Sequence, residues 1–228
     1  LSTVALIMAF VMLKESLSAE IRQRLAQQPP QKRLSMFRDA VKRPHLGLLL
    51  ALTFMSTFVF AGLESTFAMW SRRQFGWGPE QNGYLFAFVG LLSAFIQGGL
   101  IGRLVRRFGE AHLIIQGALA LAVGIAMIPF STNIVMLVIA MSIAGYGFSV
   151  TSPALNSLIS LQAGDDEMGT IMGVTRSAST MARFTGPAWA GLLFGVLGRD
   201  WPYFGGALIM VIVVILGAKT LKAINDSK

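Results

Sequence analysis

The feature that most constrains this chain is recurrence. Predominantly apolar runs of about 20 residues, each long enough as a helix to cross a hydrocarbon core of ~30 Å, return along nearly its whole length. They are read at Leu46–Met69, Gly83–Ile101, Ala111–Phe130, Ile134–Leu155, Gly169–Leu197 and Tyr203–Ala218. Backbone inside a bilayer must satisfy its own polar groups, so the expected fold is an all-α membrane protein, a six-transmembrane-helix bundle. Composition agrees, with 54% hydrophobic and 13% charged residues and a mean hydropathy of +0.63, a balance foreign to water-soluble domains. The sequence has no cysteine, and His45 and His112 are its only histidines. That leaves no thiolate chemistry and no histidine cluster, so neither a metal site nor a resident cofactor is expected. No serine, acid and histidine constellation falls at a plausible depth, and an enzyme is therefore not expected.

Residues 1–13 are apolar but reach only ~20 Å as helix, so they read as the end of a longer helix, a partial span preceding the bundle. Residues 14–45 are charged and proline-containing, a connecting loop with a short surface helix expected around Ser35 to Val41; residues 46–218 are the bundle, and 219–228 a tail. Alternating the loops puts Lys14, Arg22, Arg24, Lys32, Arg33, Arg38, Lys42, Arg43, Arg103, Arg106, Arg107, Lys219, Lys222 and Lys228 on one side of the membrane, against Arg72, Arg73 and Arg199 on the other. The basic side is cytoplasmic by the positive-inside rule, which places the connecting loop and the C-terminus inside a multi-pass protein of the cell membrane. The net charge of +8 therefore orients the chain and does not mark a nucleic-acid partner. Residues 1–13 carry neither a basic flank nor a small-residue cleavage pattern, so no signal peptide is expected. The first three and last three helices each span about 85 residues, the length match of two inverted three-helix repeats.

Polar side chains deep in a bilayer are costly, and the few present are the functional candidates. Arg183 stands near the midpoint of Gly169–Leu197, too deep to snorkel with ease. It lines a substrate or proton pathway, or else forms a structural pair with a carboxylate or backbone carbonyls. Arg176 lies seven residues earlier on the same face, about 10 Å nearer the cytoplasm; Ser179 and Thr180 continue the polar stripe between them. Glu64 is the acid of the first run's outer third, either a proton-binding carboxylate or a paired interfacial one. Gln97, Tyr146 and Asn156 supply hydrogen-bonding groups, and Phe54, Met55, Phe58, Phe60 and Trp189 form an apolar cavity wall or plain packing. Glycines four apart (Gly98 and Gly102, Gly169 and Gly173, Gly191 and Gly195) suit close helix contacts, and Pro153 and Pro187 each remove a helical hydrogen bond. Asp165, Asp166 and Glu167 gather before the start of a helix, where its dipole favours acids.

These features together resemble the C-terminal half of a major facilitator superfamily transporter, and most of all the drug:proton antiporters of the tetracycline-efflux type. The resemblance runs over nearly the whole chain. It rests on "GRLVRRFG" with Gly102, Arg107 and Gly109, on Phe75 to Gly102, and on "RFTGPAWAG", Arg183 to Gly191. Arg106 stands where the loop motif prefers aspartate and Glu110 where it prefers a base, so this copy lacks the motif's acid. The resemblance implies a twelve-helix fold of which this chain holds the second half. Helices seven and ten then line the central cavity, eight and eleven line it and rock against the other half, and nine and twelve stand outside. It implies a proton-coupled exporter of small amphipathic compounds working by alternating access, powered by a proton gradient. Arg183, Glu64, Gln97, Tyr146 and Arg176 would serve the substrate or proton pathway, and Gly102, Arg106, Arg107, Gly109, Asp165 and Asp166 a cytoplasmic gate. The implied partners are the N-terminal six-helix half, a small-molecule substrate and the lipid bilayer. Proton-coupled uptake of small metabolites and a non-transporting assembly subunit are the competing readings.

Overall fold

The structure, a computed structural model, describes residues 42–163 and 167–226, all within one compact unit that spans 37–228. Residues 1–13, the expected surface helix, and Asp165 and Asp166 lie outside the described residues, as do the side chains from Lys219 onward. Every regular element among the described residues is helical: α1 (Pro44–Phe75), α2 (Pro79–Phe95), a π-helical turn (Ile96–Leu100), α3 (Ile101–Met127), a 3-10 turn (Ile128–Phe130), α4 (Ile134–Gln162), α5 (Met168–Val196) and α6 (Trp201–Asp226).

The helix ends follow from local chemistry. Prolines open α1 and α2, where a missing amide costs nothing. Gly76 closes α1 in the left-handed region at φ 70°, donating its amide to the Arg72 carbonyl. Asn133 caps α4, its Oδ1 accepting from the Met136 amide at 2.9 Å. Inside α3, Gly109 adopts φ 74° and ψ 157°, a conformation essentially reserved for glycine.

Side-chain pairings show what that break does. Along α4, Gly145 meets Val89 and the Ser149 hydroxyl donates to Ser93 at 2.8 Å, so α2 and α4 run parallel. Beyond Gly109 the order inverts: Ser157 donates to Glu110, Gly147 faces Gly117, and Ala140 faces Gly124. The chain therefore reverses between Phe95 and Glu110. By the same test α1 and α5 are parallel, pairing Arg43 with Glu167, Phe58 with Trp189 and Arg73 with Phe194. The last helix, α6, runs against both α1, through Val59 and Gly206, and α3, through Ile115 and Gly217. Leu49, Leu52, Phe67, Trp70, Leu113, Ile114, Leu121, Ile125, Leu137 and Leu155 fill the centre.

Among the described residues four stretches are long and apolar enough to cross a membrane: His45–Phe75, Pro79–Phe130, Ile134–Gln162 and Trp201–Ala218. The second contains the reversal at Gly109 and so holds two legs. At 29 residues α5 is long enough but is not among the four, because its two arginines and its run of hydroxyls dilute the apolar character.

None of the glycine pairs expected to bring helices together does so among the described residues. An added Cβ at Gly98, Gly102, Gly169, Gly173, Gly191 or Gly195 would touch nothing within 4 Å, so these glycines do not pack helices together within the described chain. The close contacts belong to Gly117, Gly124 and Gly147 between α3 and α4, and to Gly62 and Gly186 between α1 and α5, where a Cβ would strike the neighbouring backbone. That is the close approach expected where lipid supplies no hydrophobic drive between helices.

Candidate functional site

Arg183 sits halfway along α5, beside the seam where Gly186 lets that helix close on α1. One guanidinium nitrogen lies 3.7 Å from Glu64 Oε2 on α1, and the two side chains keep 59% and 43% of their exposure. The two charges that the sequence reading placed deepest are thus one ion pair, with both side chains partly exposed. Pro187 has no amide proton, so the Arg183 carbonyl lacks its usual helical donor. A pair this loose and accessible can exchange its carboxylate for a ligand or bind a proton without breaking a buried structure.

The other polar residues divide. Arg176 is exposed and makes no ion pair among the described residues. Between the arginines, the Ser179 and Thr180 hydroxyls donate to the Thr175 and Arg176 carbonyls at 3.1 and 2.9 Å. Thr175, Ser177 and Thr185 do the same one turn back. The stripe is therefore polar in composition, but its donors are spent on its own helix. Tyr146 accepts from Gln116 Nε2 at 3.0 Å, away from Glu64 and Arg183 in sequence and on the α3 to α4 side. Gln97 is exposed on the π-helical turn beside Gly98 and Gly99. The apolar candidates pack: Phe58 lies 5.2 Å from Trp189 and 5.8 Å from Phe54, and Phe60 stacks on Phe148 at 4.0 Å.

At the end expected to be cytoplasmic, Gly102, Arg106 and Arg107 are exposed near the Gly109 break, with Arg107 over the Phe108 ring at 5.5 Å. Glu110 accepts from Ser157 at 3.1 Å and so pins the turn to α4. The start of α1 is tied to the start of α5 by a two-bond pair, Arg43 to Glu167 at 2.7 and 2.9 Å. Hydrogen bonding from Arg43 holds the Glu167 carboxyl below the usual carboxylate range. Sequence reading had named Glu167 only within an acidic cluster and Arg43 only as a loop charge. Residues 124 apart offer no local signal that they pair.

At the opposite end, Arg72, Trp77, Asn82 and Met69 line a cavity of about 580 Å³. Asn82 is buried; it accepts from the Ser71 hydroxyl at 2.8 Å and donates to the Gly78 carbonyl at 2.8 Å. Arg72 had been counted only for topology.

The family model described as Major Facilitator Superfamily matches residues 1–187. Multidrug resistance protein 2 of Bacillus subtilis is 27% identical over 218 residues, which cover 93% of this chain and 52% of that protein. Tetracycline resistance protein, class C, of Escherichia coli is 26% identical over 168 residues, 74% of this chain and 42% of the relative. Among solved structures, the human organic anion transporter TETRAN superposes with a TM-score of 0.71 at 25% identity, covering 84% of this chain and 42% of that one. The chain thus spans about half the length, or less, of these relatives.

Proposed function

The chain belongs to the Major Facilitator Superfamily, a family of multi-pass membrane transporters, and on that premise we propose that it is the C-terminal half of a proton-coupled exporter of small amphipathic compounds. The observation that carries the reading is the open ion pair of Glu64 and Arg183, an acid and a base within reach of each other on an exposed face. In this reading the six legs each cross the cell membrane, with the Arg43 and Glu167 tie on the cytoplasmic side. Proton and substrate exclude each other at this pair: an incoming substrate displaces the proton on the inner side, and protonation of Glu64 on the outer side expels the substrate as the cavity alternates between sides. The names of the multidrug and tetracycline resistance relatives support export over uptake.

The partner is an N-terminal six-helix half. Its docking face is marked by glycines that stand open, Gly98 on the π-helical turn and Gly102 at the start of α3 on one side, and Gly169, Gly173, Gly191 and Gly195 of α5 on the other. Exposed Phe184 and Leu192 on α5 and Leu91 and Phe95 on α2 flank them. A second reading, transport of organic anions, is favoured by the solved relative and by Arg72 and Arg176, which make no ion pair among the described residues.

The test is flux in proteoliposomes of the full-length protein, loaded with a pH-sensitive dye and offered tetracycline as probe. Export predicts that tetracycline moves against an inward proton flux, and that Arg183→Leu abolishes movement while insertion stays normal. Movement of probe and protons in the same direction would establish uptake. Full activity in Arg183→Leu would reduce the pair to structure, and absence of any flux with any probe would favour an assembly subunit.

A further inference from the structure

We propose that the cavity between the outer ends of α1 and α2 is a binding subsite for small organic acids with an apolar body, held by Arg72 and walled by Trp77. The inference deepens the transport reading and rests on it only for the cavity's place at the outer mouth.

Most arginines of the outer half are occupied. Arg183 faces Glu64, Arg199 faces Asp200 at 3.6 Å, and Arg73 lies over the Phe194 ring at 4.7 Å. Arg72 is exposed, lines the cavity of about 580 Å³, and makes no ion pair or ring contact among the described residues. The surrounding wall is chosen for an apolar body: Trp77, Met69, Ala68 and Pro79. Asn82 adds a fixed amide. Its Oδ1 is taken by Ser71 and one Nδ2 proton by the Gly78 carbonyl, which leaves the second amide proton free to serve a ligand oxygen.

No acid lines this cavity among the described residues. Glu80, the nearest acid in sequence, accepts from the Tyr84 hydroxyl at 3.1 Å, and Glu64 is engaged with Arg183. The cavity is lined by the first residues of α2, whose N-cap Gly78 has no side chain to satisfy the first-turn amides. The positive end of that helix adds to the field of Arg72. One cation, one fixed amide donor and an indole wall recognise a carboxylate or sulfonate carried on a ring or short alkyl group. On α1 the line continues inward from Arg72 through Ala68 to Glu64 at four-residue spacing, so an acid released here lies two helical turns from the ion pair, about 12 Å along the helix.

An anionic lipid headgroup would offer the same charge, and the experiment separates the two sources. Equilibrium binding of radiolabelled 1-naphthoate and of its uncharged counterpart 1-naphthamide is measured on the full-length protein in nanodiscs of phosphatidylcholine alone and of phosphatidylcholine with phosphatidylglycerol. Naphthoate is expected to bind at least tenfold more tightly than naphthamide, with the same affinity in both nanodiscs. Arg72→Gln should remove that preference, Arg72→Lys should keep most of it, and Trp77→Ala should weaken both probes alike. Equal affinity of the wild type for the two probes overturns the proposal, as does an unchanged preference in Arg72→Gln. Competition by phosphatidylglycerol assigns the site to lipid and overturns it too. The assay reads binding alone: absence of proton-coupled flux defeats the transport reading and leaves this one standing, whereas intact flux with equal probe affinities defeats only this one.

Discussion

Alanine at the seam glycines is expected to separate helices that alanine at the open glycines leaves untouched. A Cβ at Gly147 would lie 2.5 Å from the Gly117 carbonyl oxygen and 2.9 Å from Leu121 Cα; one at Gly124 would lie 2.8 Å from the Ala140 carbonyl oxygen. All of these are backbone atoms, so no rotamer change relieves them and α3 must move off α4. Overpacking by one carbon costs ~1–3 kcal/mol, and the position here argues for the upper end. Against it stands a gain of up to ~1 kcal/mol from replacing glycine within a helix. The net is a loss of about 2 kcal/mol, or roughly 5 °C of melting midpoint for a chain of this size.

At Gly173 and Gly191 the same change meets nothing within 4 Å, so only the propensity gain remains, between 0 and ~1 kcal/mol. The measurement is fluorescence-detected size exclusion after a heating series, run on the 228-residue chain in detergent. Gly147→Ala should fall early, and Gly173→Ala should melt with the parent or slightly above it. An unchanged midpoint for Gly147→Ala would refute the close backbone approach of α3 and α4. An early fall for Gly173→Ala would refute the open stripe and with it the docking face. With a partner half docked on this face as proposed, Gly173→Ala in the full-length protein should slow flux.

Three further outcomes are expected. A double-mutant cycle with Arg183→Leu and Glu64→Gln should show a stability coupling of no more than about 1 kcal/mol, as befits a half-exposed pair, while each single change abolishes flux; a coupling of several kcal/mol in thermal unfolding would make the pair structural. The Arg43 tie lowers the Glu167 titration point, so it is fully formed above the ordinary glutamate value of ~4.3 and opens only as pH falls through the lowered one; carbon NMR of the Glu167 carboxyl should show this depression, and Arg43→Gln should erase it. Gly109→Ala forces a side chain into a glycine-only conformation at a cost of ~1–3 kcal/mol, visible as reduced yield of folded protein, whereas an unchanged yield would show that the reversal does not depend on that backbone geometry.

How far the sequence disclosed this arrangement depended on the range of the signal. Apolar periodicity is local, so the runs were legible, whereas the Asn133 cap and the Gly76 stop, equally local signals, went unread. Ends were misjudged where polar residues continue a helix: α1 runs on through Arg72 and Arg73 to Phe75, because the helix outlasts its apolar stretch and those cations complement its C-terminal carbonyls. Candidates picked for depth, Arg183 and Glu64, were found in contact, since an intramembrane charge needs a partner and few are on offer. Partners at the helix ends gave no such clue. Water tolerates any loop charge, so nothing in the sequence tells Arg43, bonded to Glu167, from Lys42 beside it. The glycine pairs misled for a related reason. Four-residue spacing says that a face is smooth, but not what approaches it.

The helix that fails the hydropathy test is the one that carries the candidate site, and the two facts have one cause. A span built only of apolar residues can pack and insert, but it offers a solute nothing to hold. To carry Arg183 at its midpoint, α5 gives up apolar residues, and the cost is limited by two devices. Five of its six hydroxyls, those of Thr175, Ser177, Ser179, Thr180 and Thr185, each donate to a carbonyl four residues back, so they count as polar in composition while their own donors are met within the helix. The middle of its buried edge, Ala178, Ala182, Gly186 and Ala190, is small and lets α1 shield it closely. What remains unshielded is the Arg183 guanidinium and the face of open glycines around it. A helix so composed is stable in a bilayer only when another protein surface or water covers that face. The low hydropathy of α5 therefore argues for the partner half more directly than any single residue does.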